Sequence, residues 1–264
     1  MFTDRLLLLA PRINETGLQL LTAAHARGLP ARTATGWRPP QDVPPLVHLY
    51  GGPLYADAVG RELGVAVLEE LPGWLAELPR DLTRRSVELL PLAEARALRR
   101  PAFCKPPSDK VFAARVYPDG SGLPGPDALP DDQPVLVSEV VTFRREYRLF
   151  VLDGAVRTGS RYAVDGGLDV APLAEDPLRR EVTAFAAELL AATAAGLPSA
   201  VVVDVGLLAD GGWAVVEANP AWASGGYACD PVAVLDVVLR AAGPLGELRA
   251  ADRPYCRQLP VVTD

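Results

Sequence analysis

The chain is poor in cysteine: Cys104, Cys229 and Cys256 lie far apart, with no CxxC pair. That spacing supports neither a disulfide framework nor a thiolate zinc site. It fits a reducing compartment, so a cytoplasmic protein is expected. No apolar run approaches the ~20 residues that span a bilayer, and no membrane partner is expected. The opening MFTDRLLLLAPR carries only a short apolar run, with Asp4 before it and no small-residue cleavage site after it, so it reads as a buried strand rather than a leader. Basic charge is also in deficit: 26 Lys and Arg against 33 Asp and Glu leave a net charge of −7. Such a surface is ill-suited to displacing counterions from nucleic acid, so no nucleic-acid partner is expected. Glycine-rich phosphate loops (GxGxxG, Walker) and the GxSxG nucleophile turn are missing as well.

What remains is a core-forming composition, 49% hydrophobic and 22% charged, in 264 residues. That length suffices for one large domain or two to three lobes. Residues 1–95 alternate strand and helix patterns: LLLLA, ETGLQLLTAAHARG, ARTAT, LVHLYGG, PLYADAVGREL, VAVLEE and PGWLAELP. The alternation predicts a small open parallel sheet, followed by a helix over TRRSVELLPLAEARAL. Beyond residue 96 the pattern changes. FCKPPSDKVFAARVY reads as two strands around a turn, and residues 117–134 as a Pro/Gly/Asp loop long enough to be a lid. VLVSEVVTF, EYRLFVLDGAVRTGSRY and AVVVDVGLLADGGWAVVEANP read as antiparallel strands, with a helix at 176–195 and another N-capped by Asp230.

Two Asp-Gly turns predict register. A type I′ loop at Asp210-Gly211 sets Asp204 opposite Glu217, whereas a loop at Gly211-Gly212 sets it opposite Asn219. Either way the three side chains share a face. Facing carboxylates repel. A cation between them removes that cost, and Asp, Glu and Asn oxygens suit Mg²⁺; the other reading is a solvated acidic face. A loop at Asp153-Gly154 sets Glu146 opposite Arg161 and Arg148 opposite Gly159, with Tyr147, Leu149 and Val151 on an apolar face. Arginines beside an acidic metal site are what phosphate needs; an ordinary surface salt bridge is the alternative. Lys105, following AFC on a half-buried strand, needs an anion nearby. His25, on a predicted helix, and His48, in an apolar strand, read as structural, and the cysteines as packed thiols.

KPPSDK, then VLVSEVVTFRREYRLFV, then DVGL…VVEANP, resembles the ATP-grasp superfamily, in the branch marked by one arginine and two lysines. YGGPLYAD and WLAELP resemble it too. The resemblance implies an α+β/α/β fold: a pre-ATP-grasp α/β domain at 1–95, a small lobe at 96–140, and a large lobe at 141–264 with the metal-binding hairpin. It implies ATP and Mg²⁺ (or Mn²⁺) as cofactors. Lys105 and Lys110 resemble the phosphate-contacting lysines. Glu139 and Val140 fall in the linker that reads the adenine edge, and Glu146 near the ribose or Arg148. Arg148 resembles the arginine facing the transferred phosphate, assisted by Arg161. Asp204, Glu217 and Asn219 resemble the magnesium ligands. SDKVFA lacks the glycines of many relatives, which leaves the lid open between residues 118–134 and 223–227. The implied activity is ADP-forming ligation of a small-molecule or peptide carboxylate to an amine through an acyl phosphate. A phosphotransferase, an ATPase or a silent nucleotide-binding module are the alternatives. Oligomeric state is not legible.

Overall fold

The computed structural model describes residues 4–193 and 196–261. β1 (Arg5–Leu9) is the buried strand expected from its leucines. α1 (Glu15–Ala26) follows, with Asn14 capping it by accepting from the Gly17 amide at 2.8 Å. β2 (Ala31–Thr33) and β3 (Leu46–Tyr50) flank β1 in a parallel sheet of order β2-β1-β3. α2 (Pro53–Val59) opens on a proline, which gives up no helical hydrogen bond at that position. β4 (Val65–Val67), α3 (Trp74–Glu77) and α4 (Arg80–Thr83) come next.

β5 (Val87–Pro91) and α5 (Leu92–Ala95) occupy the segment expected to be one long helix. The chain leaves α4 through Arg84 at φ 53, a left-handed conformation that stops a helix. Pro91 then bars a continuous helical hydrogen-bond ladder. β5 joins a second sheet with β6 (Ala102–Lys105), β7 (Arg115–Tyr117) and β8 (Pro134–Ser138), in the order β5-β8-β6-β7. The small lobe therefore includes β5, and its start lies ahead of the expected residue 96.

β9 (Phe143–Leu152), β10 (Ala155–Val164) and β11 (Gly167–Pro172) form a meander. α6 (Arg179–Ala192) precedes the hairpin of β12 (Ala200–Leu208) and β13 (Trp213–Asn219). The large-lobe sheet has the order β11-β10-β9-β12-β13. α7 (Pro231–Ala241) is capped by Asp230, as expected, and leads into β14 (Ala242–Pro244). β4 was expected to extend the parallel sheet. It pairs instead antiparallel with β14, because the returning C-terminal chain occupies its edge.

The large-lobe sheet has two working faces. Tyr147, Leu149, Val151, Val201, Val203 and Val205 pack with Val182, Phe185 and Leu189 of α6. Phe150, Ala200 and Val202 face the other way, into a core shared with β1, α1, α7 and Trp222. His48 is buried there and its Nδ1 meets the Leu239 carbonyl at 2.8 Å, a structural role. The N-terminal sheet thus shares its core with the large lobe, while Leu92, Ala95, Cys104, Val135 and Val137 form a separate small-lobe core. Among the described residues no helix is long and apolar enough to cross a membrane.

Trp222 joins the parts. It is fully buried, and its indole Nε1 donates to the Leu68 carbonyl at 2.7 Å. Trp222→Ala is expected to cost about 3–5 kcal/mol, through a cavity and an unpaired carbonyl. Urea denaturation would register this as a lower midpoint with unchanged slope.

Candidate functional site

Asp204 stands directly opposite Glu217, as the Asp210-Gly211 turn predicts, but the route differs. Leu208 donates to Gly212 O at 2.8 Å and Leu207 pairs with Trp213, so the loop is three residues long, with Gly211 at φ 89. A bulge at Val216 then shifts the register by one, and the two offsets cancel. The bulge matters chemically. It lets Trp213 and Val215 face the α6 core while Glu217 and Asn219 face the opposite way. Arg85 holds it, donating from Nη1 to Val215 O at 2.6 Å and from Nη2 to Val216 O at 3.0 Å. Burial lowers Arg85 to about 10. Nothing in the sequence singles out Arg85, because the contact spans 130 residues.

The second hairpin corrects a prediction. Its turn is as expected, with Asp153 at φ 51 and Gly154 at φ 74. A bulge at Arg157 then shifts the register, setting Arg148 opposite Ser160 and Arg161 opposite Tyr147. Arg161 therefore points to the far face, where it binds Asp169 and Asp176, both at 2.5 Å. The expected Glu146–Arg161 pairing and the role of Arg161 beside Arg148 are not borne out by this geometry. Glu146 instead accepts from the Tyr162 hydroxyl at 2.8 Å, and burial raises its carboxyl.

Arg148 and Asp204 oppose each other on β9 and β12. The guanidinium donates from Nε to Oδ1 at 2.9 Å and from Nη2 to Oδ2 at 2.7 Å. Its Nη1 donates to Gly225 O at 3.3 Å. Its plane lies near the stacked rings of Tyr162 and Tyr227, with Tyr227 held at φ 49. Burial disfavours its charge, but Asp204 more than offsets this and raises it above the ordinary range. Asp204 is wholly inaccessible, and burial pushes its carboxyl up against the pull of Arg148.

Lys105, at the end of β6, makes an ion pair with Glu217 across the lobes. Asn219 Nδ2 donates to Glu217 Oε1 at 2.9 Å and lies 3.4 Å from Asp204 Oδ2. Burial raises Glu217, but Lys105, Asn219 and Arg148 together bring it below the ordinary range. The facing carboxylates are thus neutralised by two side-chain cations here. Among the described residues no group of three or more His, Cys, Asp or Glu gathers as a metal cage. Two carboxylates and one amide are nonetheless a set that fits Mg²⁺, which commonly takes one or two carboxylates and completes its shell with phosphates and water.

Beside this polar line lies a cleft of about 250 Å³, between the β5–β8 sheet and the β12–β13 hairpin. Val87, Phe103, Leu136, Phe143 and Val216 give it apolar walls, and Glu139, Val140 and Val141 form its edge. The Glu139 carboxylate accepts from the Ser86 amide at 2.7 Å and from Arg80 at 3.1 Å, so it braces this edge. Lys110 is exposed and makes no ion pair among the described residues. Its neighbour Asp109 is clasped by Arg257, which also holds Asp57 and Glu69. Residues 118–133 are pinned away from the cleft by Arg96, which donates to Pro124 O and Leu129 O. Residues 223–227 do border Arg148.

Asp204→Asn is expected to destabilise the fold by about 3–5 kcal/mol, since it leaves Arg148 buried without a counter-charge. The double variant Asp204→Leu with Arg148→Met should recover most of the loss, and chemical denaturation of the three proteins would check both.

The model of the ATP-grasp domain, family 2 of the clade named for one arginine and two lysines, matches residues 82–237, more than half of the chain. A search of curated proteins finds no match. Among solved structures, the ATP-grasp ligase PsnB, complexed with a phosphomimetic variant of a minimal precursor, Mg and ADP, is 18% identical, with a TM-score of 0.51 over 90% of this chain and 98% of that one. D-alanine–D-alanine ligase from Bacillus anthracis is 15% identical, with a TM-score of 0.51 over 90% of this chain and 96% of that one. With the bulged acidic hairpin, the arginine-braced cleft and the lysine at the lobe junction in place, the chain belongs to the ATP-grasp family, in family 2 of the arginine–two-lysine clade.

Proposed function

We propose that this chain is an ATP-dependent carboxylate–amine ligase that releases ADP. The observation that carries the reading is the alternating line Lys105–Glu217–Asn219–Asp204–Arg148 beside an apolar cleft. The cleft suits a planar base, with Val140 at its edge. Asp204, Glu217 and Asn219 would hold Mg²⁺, and the ion supplies charge neutralisation of the phosphates when bound. Lys105 and Arg148 then become available to phosphate oxygens, since each is now occupied by a carboxylate that the ion would take over. Phosphoryl transfer asks little covalent work of a protein; it needs positioning and countercharge. Lys105, Arg148 and Lys110 are the residues suited to supply it. Lys110 sits on the loop tied down by Arg257–Asp109 and reaches the phosphates as a point charge in place of a glycine-rich loop.

In this reading a substrate carboxylate attacks the γ-phosphate to give an acyl phosphate, and an amine then displaces the phosphate. PsnB and the D-alanine–D-alanine ligase act on a peptide precursor and on an amino acid, respectively, which makes peptides and amino acids the first substrates to try.

The test has two stages. Mg²⁺-ATP at ~100 times its dissociation constant should stabilise the wild type by about 2.7 kcal/mol, and Glu217→Gln far less. ADP release that requires both a carboxylate and an amine then supports ligation. A carboxylate-only reaction ending in a phosphorylated product points to a phosphotransferase, and no thermal shift at millimolar nucleotide sinks the reading.

A further inference from the structure

Glu70 lies just past the end of β4 on a backbone fixed from several sides. Leu68 donates to Ala241 O at 2.7 Å and its carbonyl receives Trp222 Nε1. Glu69 donates to Tyr255 O at 2.9 Å, and its side chain takes Arg257 Nη1 at 3.1 Å. Trp222 follows Asn219 by three residues, so this turn is held against the outgoing end of the acidic hairpin. Glu70 Oε2 is buried and has no hydrogen-bond partner among the described residues. A buried carboxylate oxygen without a donor is costly, and such groups persist where a ligand supplies what is missing. The charged groups acting on it are Lys105, Glu69 and Glu217, two of them at the proposed reaction centre. Burial pushes its carboxyl up to about 7. That suits a group that exchanges a proton at neutral pH.

We infer that Glu70 receives the ammonium group of the amine substrate and takes its proton, an inference that rests on the ligase reading. The ammonium brings the donors that Oε2 lacks. One N–H proton passes to Glu70, the freed lone pair forms the C–N bond to the acyl carbon, and the C–O bond to phosphate breaks. The second proton leaves with inorganic phosphate. Glu70 is then a catalytic residue for the second half-reaction only.

Hydroxylamine separates the two halves, because it is uncharged at neutral pH and needs no base to attack an acyl phosphate. The experiment screens L- and D-amino acids, each as carboxylate and amine, with Mg²⁺-ATP and with or without hydroxylamine. Wild type, Glu70→Gln and Glu70→Ala are compared. Both variants should lose amide formation by about 100-fold or more. They should keep hydroxamate formation within about threefold and keep the thermal shift with Mg²⁺-ATP. Glu70→Gln should melt no lower than the wild type, since it removes a buried acid. Equal loss of both products, or loss of neither, overturns the inference while leaving the ligase reading intact. A wild type that makes neither product overturns the ligase reading, and the inference with it.

Discussion

The Arg148–Asp204 pair is the constraint on which the site depends. Both groups sit on the central strands of an otherwise apolar sheet, and Asp204 has no contact with solvent. In a low-dielectric setting an unpaired charge here would be prohibitive, whereas a bidentate pair with a further bond to Gly225 O satisfies most of its donors and acceptors. The pair also fixes register. A slip of one residue on β9 would drive Arg148 into the valines and leucines that pack on α6. The strands that hold the ion pair are thus held in turn by it, and Glu217 and Asn219 inherit their direction from the same alignment.

Charge compensation then extends outward one residue at a time. Lys105 belongs to the small lobe and Glu217 to the large, so their ion pair spans the cleft. Arg85 fastens the start of β5 to the bulge in β13, and Glu139 fastens the end of β8 to Ser86. Each contact braces a wall or an edge of the cleft. A site whose anions are already matched by its own cations is stable without ligand, and the proposed binding is an exchange of partners rather than the filling of a charged void. The lysine and arginine gain phosphate oxygens as the carboxylates gain a cation, so neither half of the exchange leaves a buried charge alone.

The N-terminal sheet is bound into the same arrangement from the other side. Trp222, a few residues past the acidic hairpin, reaches the β4 backbone. Arg257 gathers Asp57, Glu69 and Asp109 from three separate segments. The loop that carries Lys110 is therefore tied to the N-terminal domain rather than left to its own lobe. Because the parallel sheet and the large lobe share one apolar core, the wall beyond β4 and the acidic hairpin are positioned by the same packing.

The sequence by itself determined the buried β1, the caps on α1 and α7, and the face shared by Asp204, Glu217 and Asn219. These follow from periodicity, turn residues and local hydrogen bonds. It also carried the family, through motifs in order. Tertiary structure decided what local rules cannot see. Bulges at Arg157 and Val216 carry no residue signature, yet one removed Arg161 from the site and the other restored the Asp204–Glu217 register after a longer turn. The segment read as a helix became β5, because Arg84 turns left-handed and β8 offers an edge to pair with. Arg85, Tyr162, Tyr227 and Glu70 are ordinary residues in the sequence. They acquire roles only from partners brought close by folding, since the free energy of a buried polar group depends on what surrounds it.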